Sequence, residues 1–171
     1  MEIKTERLTL RPACAGYLET THKYASDLEN TRYMMFLPYK SLEETRCALQ
    51  EAEAQWRLAA PQRCEFVVLK DGTHIGGMTL YFLNDRAEGE LGWVLNKRYW
   101  GRGYVVEAAL ALMDYARKEW GMRRIIACCD SENQASRRVM EKLGMRHVDT
   151  GTRKNRSSDE ERVELVYEIM L

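Results

Sequence analysis

The sequence predicts an α/β (α+β) fold in which helices cover both faces of a central mixed, mostly antiparallel sheet. Segments with the period of a strand alternate along the chain with segments that have the period of a helix. Two strand-like segments flank Asp71-Gly72, a pair typical of a hairpin turn, and a third follows, which indicates an antiparallel meander. The chain has 171 residues, of which 45% are hydrophobic, so we expect a single domain over residues 1–171.

The first half of the chain is expected to supply two helices and most of the sheet. Ser41-Leu-Glu-Glu44 is a capping box that opens the second helix, and Pro61 marks its end. The expected elements are, in order, a strand over residues 6–12, helices over 15–28 and 41–60, and strands over 64–70, 73–83 and 88–96.

The second half continues the alternation. Gly121 is expected to end a long helix, and Ser131-Glu-Asn-Gln134 is a second capping box, which opens a helix that ends at Gly144. The expected elements are a helix over residues 103–120, a strand over 124–129, a helix over 131–144, and strands over 146–152 and 162–171 joined by an exposed polar loop over 153–161.

Composition excludes several classes of function. Lysine and arginine together number 26, as do aspartate and glutamate, which argues against bulk binding to nucleic acid or to an anionic membrane. No apolar run is long enough to span a bilayer, and the N-terminus has no apolar signal region, so we expect a cytoplasmic protein. The five cysteines form no C-x-x-C pair and the three histidines are scattered, so we expect free thiols and no metal.

A turn with two glycines and two arginines precedes the long helix. The first N–H groups of a helix have no intrahelical partner, and the helix dipole adds positive charge there. Gly101 and Gly103 allow a ligand to approach the backbone, while Arg98 and Arg102 add full charges. This pattern indicates a phosphate or pyrophosphate site, although an ordinary strand-to-helix turn has the same glycines.

Further motifs follow in a fixed order and carry a resemblance. Together they resemble the GNAT superfamily of acetyl-CoA-dependent N-acetyltransferases. Arg98-Tyr-Trp-Gly101-Arg-Gly103 is similar to its pyrophosphate loop, (Q/R)-x-x-G-x-(G/A), and residues 133–145 are similar to its second cofactor segment, N-x-x-(A/S) followed by K-x-G-(F/M). Thr5-Glu-Arg-Leu-x-Leu-Arg-Pro12 and Gly101-x-Gly-Tyr-x-x-Glu-Ala108 resemble the Rim-type branch, which acetylates ribosomal-protein N-termini; polyamine and some aminoglycoside acetyltransferases share these features.

The resemblance implies a GNAT fold whose sheet is splayed between its fourth and fifth strands, and it implies acetyl-CoA as co-substrate with no metal. The loop amides would hold the pyrophosphate, the end of the preceding strand would pair with the pantetheine arm and polarise the thioester carbonyl, and Asn133 would bond the pantetheine amides. Core packing for the strand and a first-turn helix role for Asn133 are the alternatives. The implied cofactor-binding residues are Trp93, Val94, Leu95, Arg98, Gly101, Arg102, Gly103, Tyr104, Val105 and Asn133.

The reaction needs a neutral amine, and a carboxylate can remove its proton directly or through water. Glu90 and Glu88 are the candidates, since they lie two apart on one strand face; solvated strand-edge carboxylates are the alternative. Many members of the superfamily have a proton-donating tyrosine where Met140 stands here. The resemblance implies Ser136 as its substitute near the sulfur, with a packed helix residue as the alternative.

Three functions remain open. The first is acetylation of a protein N-terminal amine, whose pKa of ~7.7–8.0 makes deprotonation less costly than for a lysine at ~10.4. The second is acetylation of a polyamine or aminoglycoside, for which Asp27, Glu29, Glu43 and Glu44 could supply an acidic cleft. The third is a non-catalytic acyl-CoA sensor. Residues 33–39 either line the acceptor cleft or pack the helices, and we expect a monomer or homodimer.

Overall fold

The computed structural model describes residues 1–158 and 160–171, and these form one eight-stranded sheet in the order β1-β2-β3-β4-β5-β6-β8-β7. The pair β5 and β6 is parallel and the other neighbouring pairs are antiparallel, which confirms the mixed, mostly antiparallel sheet. The strands are β1 (Ile3–Lys4), β2 (Thr9–Pro12), β3 (Arg63–Lys70), β4 (Thr73–Leu83), β5 (Glu88–Leu95), β6 (Arg124–Asp130), β7 (Arg146–Lys154) and β8 (Glu161–Met170). The helices are α1 (Leu18–Ala25), α2 (Leu28–Thr31), α3 (Leu42–Gln55), α4 (Tyr104–Trp120) and α5 (Gln134–Lys142).

Helices lie on both faces of the sheet, as predicted. Side chains alternate along β3, so Val67 packs in one cluster with Leu49 of α3, while Phe66 belongs to a second cluster with Leu112 of α4. The second cluster is the larger, and it also receives Met140 of α5. The buried area on both faces fixes the positions of α3 and α4 relative to the sheet, and hence of the loops before them.

The capping box predicted at Ser131 is wrong. Asn133 is the N-cap of α5, and its Oδ1 accepts a hydrogen bond from the Ser136 amide at 3.1 Å. The preceding residues instead form a turn, in which the Asn133 amide donates to the Asp130 carbonyl at 2.8 Å. Residues 131 and 132 therefore belong to this turn and not to the helix.

Several predicted boundaries also shift. The helix predicted over 15–28 starts at Leu18 after a short 3-10 turn, and Asp27 caps a separate short helix, α2, by accepting from the Asn30 amide. The helix α3 ends at Gln55, whose side chain accepts a hydrogen bond from the Gln62 amide. β7 extends to Lys154 and β8 begins at Glu161, so the polar loop between them is shorter than predicted. Residue 159 of that loop lies outside the described residues.

The sheet splits between β5 and β6. Within the described part of the chain these strands pair only through Glu88, Gly89 and Glu90, although β5 continues to Leu95. The sequence did not predict β1, so β5 and β6 correspond to the fourth and fifth predicted strands. The predicted splay between those two strands is confirmed. At the split, a Cβ on Gly89 would lie 2.7 Å from the Met122 sulfur and 3.0 Å from the Tyr81 carbonyl, so a side chain does not fit there.

Among the described residues, no helix is both long and apolar enough to cross a bilayer, and no three His, Cys, Asp or Glu side chains are grouped as metal ligands would be. The five cysteines are free thiols.

Candidate active site

A cavity of about 660 Å³ opens where β5 leaves β6. It brings together residues that the sequence predicted from separate elements. Those that line it are Glu90, Trp93 and Val94 of β5, Asn133 at the start of α5, and Ser136 in the first turn of α5. Gly92 lines it as well, as expected if Glu90 faces the cavity.

Another part of the cavity lining comes from residues 33–39 together with α3. Of the two interpretations of this segment, the structure favours cavity lining, because Tyr33, Met34, Met35, Phe36, Leu37 and Tyr39 all contribute to it. Burial, followed by the charges of Glu65 and Glu44, raises the pKa of Tyr39 to about 12, so its hydroxyl stays protonated at neutral pH.

The end of β7 and the loop after it hold residues 33–39 in place. Arg153 Nη2 donates to the Tyr33 carbonyl at 3.1 Å, and the Arg156 amide donates to the Met34 carbonyl at 2.9 Å. Arg156 Nη1 also donates to the Phe36 carbonyl at 3.1 Å. From the sequence, residues 153–161 could either border the acceptor site or form a solvated loop. The contacts of Arg153 and Arg156 with the cavity wall favour the first interpretation.

Of the two candidate carboxylates, Glu90 is the one that lies in the cavity. It is half-buried in the cavity wall, and within residues 1–158 and 160–171 its side chain has no hydrogen-bond or ion-pair partner. Burial, and to a lesser degree the charge of Glu164, raises the pKa of Glu90, while Arg153 opposes the shift. A carboxylate whose pKa is raised and whose lone pairs are unused can accept a proton from a bound amine or water.

Glu88 does not line the cavity. Its carboxylate accepts hydrogen bonds from Arg124 Nη1 at 3.0 Å and from Asn84 Nδ2 at 2.9 Å. The two glutamates share a strand face as predicted, but Glu88 lies where β6 still runs alongside β5 and supplies Arg124. Glu90 lies where β6 turns away.

The predicted pyrophosphate loop continues from the end of β5. Asn96 Oδ1 accepts from the Arg98 amide at 3.1 Å and so caps a short 3-10 turn. Gly101 and Gly103 have φ values of 74° and 79°, a region that glycine adopts without steric cost. Gly103 is the N-cap of α4 and offers no capping side chain, so the first amides of α4 remain available to an anion.

The side chains around that loop divide into exposed and buried groups. Arg98 and Arg102 are exposed and can reach a phosphate. Leu95 and Tyr104 are buried in the core, so of the predicted residues these two can offer only their backbone to a ligand. Val105 is half-buried and packs against the same core.

Sequence reasoning missed a clamp that joins the chain's first segment to this loop. Glu107 of α4 accepts from Thr5 Oγ1 at 2.5 Å, from the Arg7 amide at 2.9 Å and from Arg7 Nε at 2.6 Å. Arg7 Nη1 also donates to the Arg102 carbonyl at 3.2 Å. Although burial opposes it, hydrogen bonds from Thr5 and Arg7 hold the pKa of Glu107 below its ordinary value. All four residues lie in the two motifs that resemble the Rim-type branch, which was the available signal.

A second buried cluster positions Asn133. Asp130 is fully buried, and its carboxylate accepts from Asn155 Nδ2 at 2.6 Å, from Arg162 Nε at 3.2 Å and from the Glu132 amide at 2.9 Å. The turn after Asp130 presents Asn133 to the cavity. Because Asn133 Oδ1 caps α5, the amide nitrogen of that side chain is the atom left to donate to a ligand.

Comparisons with known proteins agree with this geometry. The profile of the family described as Acetyltransferase (GNAT) domain matches residues 7–146. YnaD, an uncharacterized N-acetyltransferase of Bacillus subtilis (strain 168), is 34% identical over 149 residues, which are 85% of this chain and 83% of that protein.

Solved structures resemble the whole chain. A GNAT-family acetyltransferase from Bacillus anthracis superposes with a TM-score of 0.83 at 30% identity, over 99% of this chain and 98% of that one. The ribosomal L7/L12 alpha-N-protein acetyltransferase RimL, in complex with coenzyme A, superposes with a TM-score of 0.86 over 100% of this chain and 98% of that one. Its identity of 18% makes this a likeness of fold.

Proposed function

The chain belongs to the GNAT acetyltransferase family and is an acyltransferase, and on that premise we propose that it acetylates a primary amine directly, with Glu90 as the base. The observation that carries the proposal is the position of Glu90. It is a half-buried carboxylate without a hydrogen-bond or ion-pair partner among the described residues, in a cavity formed where β5 and β6 separate.

The fit of acetyl-CoA rests on three features of this chain. No side chain caps the N-terminus of α4, so its first amides can bind a pyrophosphate. Arg98 and Arg102, in the loop before the helix, add positive charge. Beyond Glu90, the edge of β5 that faces β6 has no strand partner within the described residues, so its backbone groups are available to the pantetheine amides. Asn133 faces the same cavity.

The chain's residues would then divide the chemistry among them. Glu90 takes the proton of the amine, directly or through water, as the nitrogen forms a bond to the acetyl carbon and the bond from that carbon to sulfur breaks. An amide at the end of β5, from Trp93 to Leu95, stabilises the charge that develops on the carbonyl oxygen. Ser136 lines the cavity from α5 and stabilises the departing thiolate.

The acceptor that we propose is the α-amine of a protein or peptide. The likeness to RimL, an alpha-N-protein acetyltransferase, supports this choice. A polyamine or aminoglycoside is the second candidate, but two of the acidic residues that favoured it are engaged elsewhere, since Asp27 and Glu29 both pair with Lys97, at 2.8 and 2.6 Å. A non-catalytic acyl-CoA sensor would not need a proton-accepting carboxylate at the position of Glu90.

We further propose a single domain over residues 1–171, because strands from Ile3 to Met170 share one sheet. The free thiols favour a reducing compartment, the cytoplasm. Acetyl-CoA and the amine are the proposed partners, with no metal and no direct nucleic-acid partner, and the protein is a monomer or homodimer.

The Glu90→Gln variant tests the proposed function. Loss of the base is expected to lower kcat by about 10²–10⁴-fold, the usual contribution of a positioned acid or base. Calorimetric affinity for coenzyme A should not change, because the pyrophosphate loop is intact. Glu119→Gln, an exposed residue near the end of α4, is the control and should retain both activity and affinity. A Glu90→Gln enzyme with normal kcat would remove Glu90 from the mechanism, and a wild-type protein that binds coenzyme A but releases none with any amine would favour the sensor.

A further inference from the structure

The charges around the cavity are almost fully paired, with the exception of Glu90. Four carboxylates line it, namely Glu44, Glu51, Glu65 and Glu90. Three of these have guanidinium partners, and only Glu90 has none among the described residues. This pairing of carboxylates with arginines limits how many positive charges an acceptor amine can carry into the cavity.

Arg63 is shared by two of the cavity carboxylates. Its Nη2 lies 2.9 Å from Glu51 Oε1, and its Nε lies 2.7 Å from Glu65 Oε1. Burial lowers the pKa of the Arg63 guanidinium, but the two carboxylates outweigh it and raise the pKa overall. Arg63 therefore stays charged, and a second ammonium from a ligand would have to displace it from Glu65.

Arg156 and Arg153 also line the cavity, and each is paired with a carboxylate. Arg156 is paired with Glu44, whose Oε2 also accepts from the Lys40 amide at 2.7 Å. Arg153, whose side chain is 6% exposed, lies 3.3 Å from Glu164. Both arginines also bond the carbonyls of the wall segment, so they are held in place independently of the carboxylates.

Part of the remaining lining is apolar. Met34, Met35, Leu37, Ala48 and Val94 contribute to it. A cationic group placed against these side chains would lose its hydration and gain no carboxylate in return, which is costly. An alkyl or aryl group placed there would gain by burial.

We infer that the acceptor is a primary amine that carries one positive charge on an apolar body, and that Arg63 and Arg156 enforce this selection. The inference rests on the proposed acetyl transfer and names its acceptor class. The same chemistry is found in a small apolar amine and in a polypeptide whose first residue is apolar. Polyamines and aminoglycosides, which carry several ammonium groups, are excluded.

Two matched pairs of acceptors test the inference with purified protein and acetyl-CoA. The first pair is pentylamine and 1,5-diaminopentane, which share a carbon chain and differ by one ammonium group. The second pair is two peptides that differ only in starting with leucine or lysine. Small amines and peptides are the two sources of such an acceptor, and the two pairs distinguish them. Within the pair that is acetylated, kcat/KM should be at least about tenfold higher for the singly charged member, equivalent to about 1.4 kcal/mol.

The variant Arg63→Met leaves Glu51 and Glu65 without their cation, so the preference should move toward the doubly charged member by about tenfold. Arg156→Met should move it in the same direction, which keeps the test available if one variant folds poorly. Arg57→Met is the control, because Arg57 pairs with Glu53 on the exposed surface and lies outside the cavity lining.

A readout besides turnover is the thermal shift that each amine produces in the presence of coenzyme A. The singly charged member should stabilise the protein more at equal concentration. Turnover of the diamine or the lysine peptide at an equal or higher rate would overturn the inference and leave the proposed acetyl transfer standing. Absence of turnover with all four acceptors would instead contradict the proposed function and the inference together.

Discussion

Gly103 and Gly121 flank the same helix with the same unusual backbone, and this makes a matched pair of substitutions. Gly103 precedes α4 with φ 79°, and Gly121 follows it with φ 67°. A Cβ on Gly121 would meet nothing within 4 Å, and a Cβ on Gly103 would meet only Arg7 Nη2, at 3.6 Å. Alanine therefore fits sterically at both positions, and the strain is that of the backbone.

The two variants should lose similar stability and differ in ligand affinity. Alanine in the left-handed region costs roughly 1–2 kcal/mol, and for a chain of this size each kcal/mol lowers Tm by about 2–4 °C. At Gly103 the strain also displaces the first amides of α4. Loss of one hydrogen bond to a charged group costs about 1.5–3 kcal/mol, so Kd for coenzyme A should rise about 10- to 100-fold.

Calorimetric titration of coenzyme A and thermal unfolding of both variants measure the two effects separately. Gly121→Ala should bind coenzyme A as the wild type does, despite its lower Tm. If both variants lost affinity in proportion to their loss of stability, or if Gly103→Ala bound normally, the assignment of the start of α4 as the pyrophosphate site would be refuted.

Two further predictions concern the clamp at α4 and a buried histidine. Glu107→Gln weakens the ion pair to Arg7, so KM for acetyl-CoA should rise roughly fivefold, equivalent to about 1 kcal/mol, with kcat nearly unchanged. Asp114→Asn, which breaks an exposed pair on the same helix, is the control, and an equal rise in KM there would contradict the positioning role. Burial lowers the pKa of His74 to about 4, so the unfolded chain, with a pKa of ~6.5, binds the proton first as pH falls. As the pH falls from 6.5 to 4, His74 should therefore lower the free energy of unfolding by up to about 3 kcal/mol. Urea unfolding across that range should show that the free energy of unfolding depends less steeply on pH in His74→Gln than in the wild type. Equal slopes of free energy against pH would refute this.

The elements that the sequence predicted best are those with local determinants. The hairpin turn at Asp71-Gly72 has positive φ at both residues, and the strand after it runs over Thr73–Leu83 as predicted. Gly121 ends α4 in the left-handed conformation, as helix-ending glycines commonly do. Each of these features depends on a few neighbouring residues, so the local pattern was sufficient.

Features that depend on pairing or burial against another segment were not predictable in the same way. β1 has two residues and exists because Ile3 and Lys4 pair with β2. The N-cap of α5 moved from Ser131 to Asn133 because buried Asp130 organises the intervening turn. Neither the short strand nor the turn has a strong local pattern of its own.

The candidate site shows the same division. The motifs predicted the candidate pyrophosphate loop and singled out Asn133, but two glutamates on one strand face were equivalent in sequence. What separates Glu88 from Glu90 is Arg124, which comes from a strand far along the chain and pairs with Glu88 alone of the two. Arg156 likewise reaches Glu44 from a distant segment. Arg63 and Glu65 are near neighbours on β3, but their position in the cavity lining required the structure.

Mapping of amide chemical shifts is the most direct way to locate the coenzyme A site. On titration with coenzyme A, we expect the largest changes at the amides of residues 101–105 and 93–95, with little change at Gly72 and Gly121, which share the left-handed backbone but lie elsewhere. Changes of similar size at Gly72 and Gly121, or none at residues 101–105, would contradict the claim that the start of α4 and the free edge of β5 form the cofactor site.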